Sequence, residues 1–151
     1  MSEQEHAVPR GASPAMLVGL GASAGGLAAL KAFFAAATPD PRIAYLVVTH
    51  LPIGSVSHLA ELLSAAGTVP AVQVEGPTAI EGGRAYVAPP GRLLLCRGDS
   101  LELSDPPGRP PAPRPIDLMM LSLAEQGLER AVGIVLSGTD HDGTIGLKAI
   151  R

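Results

Sequence analysis

Short apolar runs alternate with stretches of helical spacing along most of this chain. The first run, residues 16–20, passes through Gly21-Ala22-Ser23-Ala24-Gly25 into a helix over 26–36 whose Leu27, Leu30, Phe33, Phe34 and Ala37 share one face. Thr38-Pro39-Asp40-Pro41 ends that helix. Residues 44–48, Ala-Tyr-Leu-Val-Val, read as a buried strand that runs into Thr49-His50-Leu51-Pro52. A second helix is predicted over 57–65 with Leu59, Leu62 and Leu63 inward, and strands over 71–74 and 84–88. Residues 92–96 and 101–104 flank Arg97-Gly98-Asp99-Ser100 and read as a β-hairpin. Residues 105–115 carry six prolines, which excludes helix and central strand and leaves an extended surface loop. Residues 117–129 then read as a helix with Leu118, Leu121, Ala124 and Leu128 inward, 131–136 as a buried strand, and 144–151 as a last helix opened by Gly143.

This alternation predicts an α/β fold: a doubly wound, mostly parallel sheet with helices on both faces, three layers in a Rossmann-like arrangement, with a short β-hairpin excursion. Composition agrees. The 151 residues suit one domain, and with 46% hydrophobic but only 3% aromatic residues the core is built from Leu, Val, Ile and Ala, as in a buried parallel sheet. Residues 1–15 read as a disordered tail and 16–151 as the folded domain. A net charge of -3 offers no basic face for nucleic acid. No apolar run approaches the ~20 residues that span a membrane, and residues 1–14 lack the pattern of a secretory signal. The one cysteine, Cys96, lies in an apolar run, reads as a core residue and fits a reducing cytoplasm.

In a doubly wound sheet the site lies outside the carboxyl ends of the strands. Three predicted strands end there in chemistry-bearing residues: Ser23, then His50, then Asp140, His141 and Asp142. A serine hydroxyl needs a base within hydrogen-bond reach, and the base needs a carboxylate to hold its tautomer. Gly21-Ala22-Ser23-Ala24-Gly25 has the G-x-S-x-G pattern of a nucleophile elbow, where the following helix directs free N–H groups toward an oxyanion. Each residue also has a plain reading: a small turn residue for Ser23, a loop histidine for His50, helix N-caps for the aspartates. The order Ser, His, Asp differs from the Ser, Asp, His of α/β-hydrolases. The same glycines fit a relaxed dinucleotide fingerprint, but the acidic residue it wants at the second strand end is replaced by Thr49-His50. His6 falls in the tail and His58 in the second helix, and His141 competes with His50 as a base. Asp140-His141-Asp142 offer metal-ligating groups, but adjacent residues rarely ligate one ion together, so no metal is expected there; no cofactor is expected either.

With these residues in view, the chain resembles the catalytic domain of the chemotaxis receptor methylesterase (CheB) family. The resemblance runs from Leu17 to Arg151 and rests on Gly19-Leu20-Gly21-Ala22-Ser23-Ala24-Gly25-Gly26, Val47-Val48-Thr49-His50-Leu51-Pro52, Ala85-Tyr86-Val87-Ala88-Pro89, Arg114-Pro115-Ile116-Asp117 and residues 135–143. It implies Ser23 as nucleophile, His50 as general base, Asp142 as orienting carboxylate, and the Ala24 N–H as oxyanion donor. It implies hydrolysis of glutamate methyl esters on the cytoplasmic helices of methylated chemoreceptors, with glutamine deamidation beside it, and as further partners a methyltransferase or a separate receiver domain. An inactive methylesterase-like module that only binds partners is the alternative. Ala24, Thr49, Thr139, Asp140 and His141 depart from the family pattern without removing a triad member. No receiver domain precedes residue 16, and the last helix has no stop signal, so the chain reads as a fragment.

Overall fold

The computed structural model describes residues 13–23, 25–50, 57–109, 114–127, 129–136 and 142–150. Five strands form a parallel sheet: β1 (Met16–Ala22), β2 (Ile43–Thr49), β3 (Ala71–Gln73), β5 (Ala85–Val87) and β8 (Ala131–Leu136), in the order β3-β5-β2-β1-β8. A smaller antiparallel sheet joins β4 (Thr78–Ala79), β7 (Ser100–Ser104) and β6 (Leu93–Arg97). The helices are α1 (Leu27–Ala36), α2 (Leu59–Ala66), α3 (Pro115–Ala124) and α4 (Thr144–Ile150). The parallel sheet and the β6–β7 hairpin are where the apolar runs place them.

The sheet separates two apolar cores. Val18, Leu20, Tyr45 and Val47 face α1 and α2, whereas Leu17, Leu46 and Val48 face α3, α4 and the small sheet. Period-2 alternation within continuously apolar strands therefore feeds both layers. Phe33, Phe34 and Tyr45 lock α1 onto β2 as edge-to-face pairs with centroids 5.1–5.7 Å apart.

Gly19 and Gly21 belong to the α3 face of β1. A Cβ at Gly19 would come within 2.8 Å of Leu123 and Met119, and one at Gly21 would run into the Ile116 side chain. These glycines let α3 lie directly on β1, which brings the first turn of α3 up to the strand end that carries Ser23. The glycines flanking the serine thus differ in role. Gly21 is demanded by close approach, whereas Gly25 has open space where its Cβ would be.

Three helical readings need correction. Leu27 and Leu62, expected inward, are largely exposed. The third helix starts two residues earlier than predicted and ends at Ala124, five residues short. Pro115 supplies its first turn, where a missing N–H costs nothing. Its inward residues are Ile116, Met119, Met120 and Leu123 instead of Leu118, Leu121 and Ala124. Every residue of this helix but Asp117 and Ser122 is apolar or Pro, so periodicity could not tell its buried face from the other. Of the predicted tail, residues 1–12 lie outside the described residues, while Pro14 is buried and its carbonyl accepts a hydrogen bond from Arg130 Nη2 at 2.9 Å.

Candidate active site

The parallel register sets the site. Ala22 pairs with Thr49 across β1 and β2, and with Leu136 across β1 and β8. Ser23 and His50 are the next residues on their strands, so they leave the sheet side by side at its carboxyl edge. β1 is also where the chain changes direction in the sheet, running outward to β2 on one side and receiving β8 on the other. This is the switch point at which doubly wound sheets place their ligands.

Ser23 closes the turn into α1. Its carbonyl accepts the Gly26 N–H at 2.8 Å, and Gly26 heads the helix. His50 is half-buried and its Nε2 stands 2.7 Å from Asp142 Oδ2. Asp142 is 4% exposed. Its Oδ2 also accepts the Ile116 N–H at 2.9 Å, and its Oδ1 accepts the Asp117 N–H at 2.8 Å. These are the second and third residues of α3, whose own N-cap, Arg114, makes no capping hydrogen bond through its side chain. A distant carboxylate therefore caps α3, and the positive end of the helix dipole compensates its charge. An ionised carboxylate only accepts, so His50 donates from Nε2 in this bond.

The capping is mutual. Asp117, 3% exposed, turns its Oδ1 to the N-terminus of α4 and accepts the Gly143 and Gly146 N–H groups at 2.9 and 2.8 Å. Its Oδ2 is buried without a hydrogen bond among the described residues and faces Arg114 Nη1 at 3.7 Å. Gly143 holds φ at +106°, in the left-handed region, and a Cβ there would approach Val135 to 2.7 Å.

A cavity of about 300 Å³ opens beside His50, walled by Thr49, Pro89, Arg92, Leu93, Pro106 and Pro115. The hairpin excursion and the proline-rich segment thus form one side of the site. Arg92 Nε lies 2.7 Å from Asp105 Oδ1 at the rim.

Of the residues singled out in the sequence, the structure joins His50 to Asp142 and sets Ser23 on the neighbouring strand end. Ala24, Asp140 and His141 lie outside the described residues. His58 stands at the exposed N-cap of α2, with its Nδ1 3.8 Å from Glu61 Oε2. Asp117 was legible as part of the Arg114-Pro115-Ile116-Asp117 segment and as the acidic residue opening the predicted third helix, and nothing in that segment announces a partner on another helix. Among the described residues no group of three His, Cys, Asp or Glu side chains could hold a metal ion, and no helix is long and apolar enough to cross a membrane.

Comparison with known proteins gives one family. Residues 18–151 match the CheB methylesterase domain. The protein-glutamate methylesterase/protein-glutamine glutaminase of Geobacillus kaustophilus is 32% identical over 142 residues, covering 89% of this chain and 40% of that protein. One of the same description from Myxococcus xanthus is 31% identical over 143 residues, covering 91% and 41%. The chain thus spans about two fifths of the length of these relatives. The crystal structure of the Thermotoga maritima CheB methylesterase catalytic domain superposes with a TM-score of 0.74 over 89% of this chain and 74% of that one, at 23% identity, which establishes the shared fold.

Proposed function

The chain belongs to the CheB methylesterase family, and on that premise we propose that it hydrolyses glutamate methyl esters on chemoreceptor helices through Ser23, His50 and Asp142. The observation that carries this reading is the His50–Asp142 contact of 2.7 Å at the sheet edge where Ser23 leaves the adjacent strand.

In this reaction His50 Nδ1 takes the Ser23 hydroxyl proton as Oγ attacks the ester carbonyl carbon. The tetrahedral oxyanion collapses, the carbon–methoxy bond breaks, and methoxide leaves as methanol with the proton that His50 returns. Water, deprotonated by the same nitrogen, attacks the acyl-serine, and Ser23 leaves reprotonated, releasing the glutamate carboxylate. Asp142 stabilises the imidazolium through both half-reactions and stays ionised. The oxyanion donor in this reading is the Ala24 N–H, a role worth about 10²–10³ in rate in comparable sites. A glutamine amide follows the same path with ammonia as leaving group.

The cavity beside His50 is the entry for the ester-bearing side chain. The place of action is the cytoplasm, with methylated receptor helices as the partner, and a methyltransferase or a separate receiver domain as further partners. The direct test is incubation of the chain with a methylated receptor cytoplasmic fragment. Methanol release with loss of methyl groups from glutamate supports the reading; intact methylation after prolonged incubation rejects it.

A further inference from the structure

We propose that Asp117 is a positioning residue, whose carboxylate, by capping the helix that follows Asp142, aims Asp142 at His50. This rests on the esterase reading of the site. Four hydrogen bonds of 2.8–2.9 Å close a loop between two helix starts: Ile116 and Asp117 N–H to Asp142, and Gly143 and Gly146 N–H to Asp117. The exchange is reciprocal to the residue. Asp117 gives its own N–H to Asp142 and takes the N–H of Gly143, the residue bonded to Asp142 in the chain.

Gly143 is the part of the clasp that points to aim as well as stability. Its N–H belongs to the peptide that leaves Asp142, so an acceptor fixed on α3 sets the rotation of that peptide and the direction of the Asp142 side chain. The left-handed φ of Gly143 gives the chain no preferred alternative that would restore this direction unaided. Close contact reinforces it, since a Cβ at Gly146 would meet Met120 Cβ at 2.6 Å and the Asp117 backbone at 3.2 Å. Without the Asp117 carboxylate, two buried N–H groups lose their acceptor, the 142–143 peptide is free to turn, and Asp142 swings from Nε2. Small displacements of this kind cost about 10²-fold in other active sites.

The experiment compares the native chain with Asp117→Ala, with Ser122→Ala as a control that loses a buried hydrogen bond elsewhere on α3. Expected for Asp117→Ala are a kcat lower by about 10- to 100-fold at unchanged KM and loss of the downfield His50 Nε2 proton signal in the NMR spectrum. Ser122→Ala should move none of these. A folded Asp117→Ala chain with native kcat and Nε2 signal overturns the proposal. If Asp117→Ala does not fold, Asp117→Glu, which keeps a carboxylate but displaces it by a methylene, carries the same expectations and the same refutation. The NMR readout needs no turnover, so a chain that proves inactive refutes the esterase reading while the positioning role is still decided.

Discussion

His50 Nε2 and Asp142 Oδ2 lie 2.7 Å apart although β2 and β8 stand on opposite sides of β1. Asp142 bridges that gap because α3 lies on β1 and offers two N–H groups to hold the carboxylate in place. One aspartate thus serves two contacts, the start of α3 and the His50 ring.

Asp142→Asn separates them. The amide oxygen can still accept an N–H of α3, so the fold should survive. The amide cannot stabilise the imidazolium, and it offers a donor to the nitrogen that should itself donate. The expected loss in kcat is about 10³–10⁴, measured by methanol release, with circular dichroism unchanged.

Gly21→Ala and Gly25→Ala should behave oppositely although both flank Ser23 in the same motif. The first puts a methyl into the buried Ile116 side chain, whose backbone N–H holds Asp142. It should cost about 1–3 kcal/mol of stability and lower kcat as well. The second enters open space at ordinary φ and should leave the melting temperature within a degree or two.

Ser122→Ala tests the seam between α3 and the small sheet. Ser122 Oγ accepts the Cys96 N–H at 2.9 Å and donates to the Met119 carbonyl at 2.6 Å. β6 is an edge strand, and this hydroxyl takes up a donor that its sheet leaves unpaired. Orphaning that N–H costs about 1–3 kcal/mol, read as a melting point several degrees lower with kcat unaffected.

Cys96 is fully buried, and burial pushes its thiol up to about 11 from an ordinary 9.0. Below pH 9 the thiol is neutral in folded and unfolded chains and contributes no pH dependence. Between about 9 and 11 only the unfolded chain ionises, so stability should fall as pH rises through this window. At pH 8 the native protein should resist iodoacetamide, and denaturant should expose one reactive thiol.

The architecture was largely legible because strand and helix periods differ and the strands end in polar residues. The bounds of Ala131–Leu136 were read to the residue, although this sheet-edge strand is mostly half-buried rather than buried, and topology placed Ser23, His50 and the group Asp140, His141 and Asp142 at strand ends, with the resemblance alone selecting Asp142. What escaped the sequence depends on distances between elements. Leu118 and Leu121 look as apolar as Met119 and Met120, and only the glycines of β1 decide which face of α3 is pressed inward. Asp117 escaped for the same reason, since its partners Gly143 and Gly146 lie 26 and 29 residues away.

The most direct test of the account is the initial rate of methyl-ester hydrolysis by the native chain and by Ser23→Ala, side by side at equal concentration. The account predicts methanol release from the native chain and a rate indistinguishable from buffer with Ser23→Ala. Equal rates from the two proteins would contradict it.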